Sequence, residues 1–168
     1  RVNRTRVEEG YLDNSLHLMR LDSLCRPVFG APSDYDVRSI RISGYASPEG
    51  DFDYNQRLSE QRAHGFADYV SSRYGISVSS IVSKGYGEDW DGLCRQVRAD
   101  SLFVWKNEVL QIIEHYGIFE GREKRLMELA GGDAYRYMLR TYFPRLRRME
   151  LELNYRVRAF NPSEALQK

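Results

Sequence analysis

The densest collection of chemistry-bearing side chains in the sequence lies in GYASPEGDFDYNQRLSEQRA, residues 44–63. Within this block Ser47 offers a hydroxyl, Glu49 and Asp51 carboxylates, Asn55 an amide and Arg62 a guanidinium. The first chemistry to test is metal binding, because Asp51, Asp53 and Asn55 alternate like the first half of a calcium loop. The second half fails, since Gln56 stands where the loop needs Gly and Arg62 where it needs a bidentate Glu. His17, His64 and His115 lie apart from cysteine or acidic partners at ligand spacing, and Cys25 and Cys94 form no CxxC. No G-x-S-x-G, H-E-x-x-H or phosphate-binding glycine loop occurs. Residue spacing therefore supports no metal, cofactor or catalytic role. Taken alone, a helix-borne Arg such as Arg62 is most often solvated or salt-bridged, and an Asn such as Asn55 caps or bridges a loop.

The elements that would position this block follow from local patterns. Ile40 and Ile42 alternate with Arg41 and Ser43, which predicts a half-buried strand over 37–45. Pro48 and Gly50 punctuate a loop, after which Leu58, Phe66, Tyr69 and Val70 predict a long helix from Tyr54 to Tyr74, closed by Gly75. Upstream, 1–7 reads as an edge strand and 15–26 as a helix stopped by Pro27. Downstream, 76–83 reads as a short strand ending in Lys84-Gly85-Tyr86-Gly87. The texture then changes to helices over 92–99, 102–116, 121–129 and 134–142, with Asp100 and Asp133 as caps. The closing strand is set by Met149, Leu151, Leu153, Tyr155 and Val157 alternating with charged or polar neighbours. The order implies at least one parallel pairing through a crossover helix.

Gly44, Tyr45, Gly50, Asn55, Leu58, Ser59, Arg62 and Ala63 match, without a gap, the pattern G-H/Y-T-D-x-x-G, four spacers, N-x-x-L-S-x-x-R-A. This block resembles the signature of the OmpA-like C-terminal domain, a peptidoglycan-binding module of the bacterial outer membrane. Leu146-Arg147-Arg148-Met149-Glu150 approximates a second family element, N-R-R-V-E, and Gly85-Tyr86-Gly87-Glu88 resembles the family's G-x-G-E. The resemblance implies an α+β fold: a βαβαβ core with a mixed sheet, then a helical insertion, then a final returning strand. Its implied organisation is 1–87 for the first part of the core, 88–145 for the insertion, 146–158 for the last strand and 159–168 for a flexible tail.

The resemblance also implies a ligand, the diaminopimelate residue of a peptidoglycan stem peptide, held between an Asp and an Arg. Arg62 falls on the family's Arg, and its planar fork fits a carboxylate in a way Lys cannot. Helix amides near Tyr54 and Asn55 would add attraction for an anion. The family's Asp falls on Ser47, which brings a hydroxyl and no charge. Glu49 and Asp51, in the same loop, are the candidates for the missing carboxylate. The expected site is thus Ser47, Glu49, Asp51, Asn55 and Arg62, in a non-catalytic module anchoring an outer-membrane protein or assembly to the cell wall from the periplasmic side. The alternative is a cell-envelope interaction module that has lost wall binding and meets a protein partner through the insertion.

Composition bounds these readings. The 168 residues, 42% hydrophobic and 29% charged, suit a folded domain or a domain carrying an insertion. With 25 Lys and Arg against 24 Asp and Glu, the net charge of +1 lacks the footprint of a nucleic-acid binder. No run approaches the roughly 18 apolar residues that a spanning helix needs. The chain opens on Arg1 without a secretory-signal pattern, so the expectation is a piece of a longer protein. The arginines around Pro144, namely Arg140, Arg145, Arg147 and Arg148, read as a solvated charge run.

Overall fold

The computed structural model describes residues 14–158; the strand expected over 1–7 and the tail expected over 159–168 lie outside them. The described elements are α1 (Asn14–Gly30), β1 (Tyr35–Ala46), α2 (Phe52–Tyr74), β2 (Ile81–Glu88), α3 (Trp90–Ala99), α4 (Lys106–His115), α5 (Arg122–Glu128), α6 (Asp133–Thr141), α7 (Phe143–Leu146) and β3 (Met149–Val157). Strand order in the sheet is β2-β1-β3. Tyr45 N donates to Arg148 O at 2.9 Å and Arg158 N to Asp34 O at 2.8 Å, so residue numbers run in opposite directions along β1 and β3. That pair is antiparallel. Asp89 N donates to Ala46 O at 3.0 Å, which brings the ends of β1 and β2 together, as a parallel pair joined by the crossover α2 requires. The fold is α+β with a mixed sheet, as the resemblance implied. No helix among the described residues is long and apolar enough to cross a membrane.

The chain divides into two compact units. The first contains, among described residues, 14–43, 62–84 and 150–158. Its core takes Leu18, Leu21 and Cys25 from α1, Ile40 and Ile42 from β1, Ala63, Ala67 and Val70 from α2, and Ile81 from β2. The three- and four-residue steps on the helices and the two-residue step on β1 are the periods that place each set on one face. Pro27 does not stop α1, which continues to Gly30. The proline forfeits one backbone donor, but Val28 behind it is 2% exposed, and its packing holds the last turn.

Asp22 on α1 ties that helix to α2 in this unit. Its carboxylate accepts from Arg73 Nε at 2.8 Å, Arg73 Nη2 at 2.7 Å and the Tyr74 hydroxyl at 2.7 Å. The bidentate Arg73 fork, then the Tyr74 hydroxyl, hold the Asp22 carboxyl well below its ordinary value of 3.8. A depressed folded-state value means that this stabilisation is complete above the ordinary value and is lost as pH falls below it. We expect the thermal midpoint of Asp22→Asn to lie below wild type at pH 6, with the gap closing between pH 4 and pH 2. A gap independent of pH would contradict the assignment.

The second unit contains 44–61 and 85–149. Its core is helical: Trp90, Leu93 and Val97 of α3, Val109 and Ile113 of α4, Leu126 of α5, Ala134, Tyr135 and Met138 of α6, and Phe143 and Leu146 of α7, with Phe103 and Tyr142 between elements. Trp105 and Tyr137 pack against this core from its edge. Buried phenols need partners, and Tyr137 and Tyr142 both donate to Asp100 Oδ2, at 2.9 and 2.8 Å. Phe119, by contrast, is 83% exposed.

Three local readings are corrected. The strand expected over 76–83 starts at Ile81 and runs through both glycines to Glu88. Before it, Val78–Ser80 is a 3-10 turn in which Ser80 Oγ donates to Ser77 O at 2.6 Å, a local hydrogen bond that competes with strand pairing. The helix expected from 102 starts at Lys106, because Asp100 Oδ1 accepts from Leu102 N at 2.9 Å and holds a turn there. Asp133 is not a side-chain cap; it opens α6 as its first residue and pairs with Arg136 at 2.5 Å.

Candidate functional site

The loop between β1 and α2 is built within the second unit. Ser47 and Pro48 are buried, and Gly50 takes a φ of +86°, a left-handed conformation that glycine adopts without strain. Three side chains hold the loop. Asn55 Nδ2 donates to Ser47 O at 3.3 Å, Glu49 O at 2.9 Å and Glu88 Oε1 at 3.0 Å, so its two hydrogens are shared among three acceptors. Arg147 Nε donates to Ser47 Oγ at 2.9 Å, and the same guanidinium pairs with the Glu49 carboxylate. Glu123 Oε1 accepts from Gly50 N at 3.2 Å and from the Tyr135 hydroxyl at 2.7 Å. The second Glu49 oxygen, Oε2, is buried without a hydrogen-bond partner among the described residues. Asp51 caps α2: its Oδ1 accepts from Tyr54 N at 2.7 Å.

The three sequence blocks that carry the resemblance converge in this unit. Ser59 of the first block is fully buried, and its hydroxyl accepts from Gly87 N at 2.8 Å while donating to Gln56 O. Gln56 Nε2 donates to Gly85 O at 3.2 Å. A Cβ at Gly85 would lie 2.6 Å from Glu60 Cα, so only glycine lets helix and strand approach this closely. Glu88, ending the second block, is the residue that Asn55 reaches. From the third block, Arg148 pairs with Asp89, which caps α3 by accepting from Gly92 N at 2.8 Å. The Arg148 guanidinium also lies 4.3 Å over the Tyr45 ring, which stacks on Tyr86 with centroids 5.4 Å apart.

Burial perturbs two ionisable groups around the loop. Glu88 is half-buried, and desolvation pushes its carboxyl up from the usual value; hydrogen bonds from Asn55 and Trp90 Nε1 oppose the shift, while the Glu123 charge adds to it. The Tyr135 hydroxyl is pushed up first by burial and then by its hydrogen bond to Glu123.

Ser47 and Glu49 in the loop, Asp51 at the cap of α2 and Asn55 in its first turn therefore lie together, each with a defined structural partner. Arg62 lies on α2, half-buried, in the other unit. Sequence reasoning missed two residues of the loop's surroundings. Arg147 stood in a run read as solvated; Arg140 and Arg145 are exposed, whereas Arg147 and Arg148 are half-buried because Glu49 and Asp89 pair with them. The available signal was their place in the third block. Glu123 had none. Cys25 and Cys94 are free thiols.

Over 68 residues the chain is 35% identical to outer membrane protein A of Buchnera aphidicola subsp. Schizaphis graminum, a match covering 39% of this chain and 19% of that protein. It is 44% identical over 50 residues to outer membrane protein A of Serratia marcescens, covering 30% and 14%. The matched part thus spans a fifth or less of these curated relatives. These matches support the resemblance to the OmpA-like domain. Among solved structures, the peptidoglycan-associated lipoprotein from Burkholderia pseudomallei aligns with a TM-score of 0.39 at 18% identity, covering 53% of this chain and 66% of that one. No family model matches the chain.

Proposed function

We propose that this chain is a non-catalytic, OmpA-like module that binds peptidoglycan on the periplasmic side of the outer membrane and so tethers a larger envelope protein to the wall. The observation that carries the proposal is the convergence of the three motif blocks on the Ser47–Gly50 loop, through Asn55, Glu88 and Arg147. In this reading Arg62 takes a carboxylate of a diaminopimelate-type stem peptide. Asn55 and Asp51 order the loop and the start of α2, and Ser47 and Glu49 meet the remaining polar groups. The helices over 88–145 are an insertion into the core, which resumes with β3.

The test is an NMR titration of the full chain with a diaminopimelate-containing muropeptide, alongside Arg62→Ala. Loss of a charge-assisted hydrogen bond removes about 1.5–3 kcal/mol, so the variant is expected to bind at least roughly tenfold more weakly. Wild-type amides of Ser47, Glu49 and Asn55 are expected to shift on titration. No shift at millimolar muropeptide sinks the proposal, and shifts unchanged in Arg62→Ala remove that residue from the site. A second reading, an interaction module without wall binding, draws on the Ser47 hydroxyl and Glu49 carboxylate both being engaged by Arg147. It predicts that intact sacculi do not retain the chain.

A further inference from the structure

One carboxylate of the helical segment 88–145 bonds directly to the backbone of the candidate ligand loop. Glu123, the second residue of α5, accepts with a single oxygen from Gly50 N at 3.2 Å and from the Tyr135 hydroxyl at 2.7 Å. Tyr135 is itself buried in the helical core, 8% exposed, so its hydroxyl is a fixed donor. The chain of contacts runs from that core through Tyr135 and Glu123 to the loop backbone. Gly50 is the loop residue with the left-handed φ. Asn55 and Arg147 grip Ser47 and Glu49 and do not reach Gly50. Without Glu123, these two side chains would pin the loop at Ser47 and Glu49 and leave Gly50 unheld by them.

A second contact from the same segment acts in parallel. Trp90 Nε1 donates to Glu88 Oε2 at 2.8 Å, and Glu88 Oε1 accepts from Asn55 at 3.0 Å. This path runs through the Asn55 side-chain amide to the backbone carbonyls of Ser47 and Glu49. Glu123 is therefore the contact through which the helical segment holds Gly50.

We infer that Glu123 is a positioning residue for ligand binding: it fixes the Gly50 amide and with it the conformation of the 47–50 loop, so that the helical insertion acts as a brace for the binding site. This rests on the proposed wall-binding reading, which deepens rather than changes. The brace acts through hydrogen-bond acceptance, not through charge. Glutamine keeps the accepting oxygen at the same reach, and alanine removes it.

The test compares wild type with Glu123→Gln, Glu123→Ala and Tyr135→Phe, in the full chain, reading hydrogen exchange at the Gly50 amide and muropeptide affinity by NMR titration. For Glu123→Ala, exchange at Gly50 is expected to quicken about tenfold and affinity to fall by about the same factor, the size of one hydrogen bond's net worth. Glu123→Gln is expected to restore both. Tyr135→Phe is expected to fall between them, because Glu123 keeps its reach but loses its fixed donor. Equal loss in the Gln and Ala variants would assign the effect to charge and overturn the inference. So would unchanged Gly50 exchange in Glu123→Ala. Should that variant not fold, Gly50 exchange in Tyr135→Phe alone decides, and no change there overturns the brace. A wild-type chain that binds no muropeptide would instead sink the wall-binding reading, leaving the brace to be judged by the exchange measurement.

Discussion

Gly85→Ala is expected to lower the thermal midpoint by roughly 6–12 °C, taking about 3 kcal/mol for an overpacked core position and about 2–4 °C per kcal/mol for a chain of this size. The added methyl would sit 2.5 Å from Ser59 Oγ and 2.6 Å from Glu60 Cα, and closer still to Glu60 N. Two of those atoms are helix backbone, which has no rotamer by which to yield. Relief requires α2 to move off β2, which would break the Ser59 to Gly87 and Gln56 to Gly85 hydrogen bonds together. Gly30→Ala is the matched control, since a Cβ there meets nothing within 4 Å. It is expected to be neutral or slightly stabilising. Equal midpoints for the two variants in a thermal melt would show that the close approach at Gly85 is not what the packing depends on.

Arg147→Met is expected to cost about 2–3 kcal/mol in urea denaturation, because it removes a charge-assisted hydrogen bond and leaves a partly buried carboxylate unpaired. The Arg147 and Glu49 side chains are 23% and 24% exposed, too little for solvent to replace the lost partner. Glu49 would then have one oxygen stripped of its guanidinium and the other already buried without a partner. Methionine retains most of the side-chain volume, so the loss reports charge and hydrogen bonding rather than a cavity. Glu49→Gln in the same background is expected to recover a large part of it. The double-mutant cycle then measures the pair directly, and a coupling indistinguishable from zero would refute the ion pair's role. Muropeptide binding is expected to fall with Arg147→Met, since Ser47 loses its hydroxyl partner in the same step.

The sequence carried the fold well where the physics is periodic. Met149 to Val157 alternates over its whole length, and β3 has those bounds. The stripe through Leu58 and Val70 marked α2, whose start differs by two residues because Asp51, and not a residue nearer Tyr54, supplies the cap. Patterns failed where a local side-chain bond decides the backbone, as at Ser77–Ser80 and at Asp100. The candidate loop was legible as a motif, and Asn55 as the residue that orders it. Its other supports were not. Gly50 and Glu123 are 73 residues apart, and Ser47 and Arg147 are 100. A hydrogen bond across such a separation depends on tertiary placement and leaves no spacing to read. Arg147 was visible only as part of a motif, and Glu123 lies in a segment to which no motif applies.

The surroundings of Trp90 give the loop an optical signal of its own. The chain has two tryptophans. Trp90 donates its indole N–H to Glu88, one side chain away from Asn55, and the Arg122 guanidinium lies 4.7 Å from its ring centroid. Indole emission responds to the local field and to what accepts its N–H, so a rearrangement that moves Glu88 changes the wavelength and yield. Trp105 packs against Phe103 in the helical core, with centroids 5.7 Å apart, away from this hydrogen-bond chain. In a Trp105→Phe background, intrinsic fluorescence would follow the loop without any attached dye.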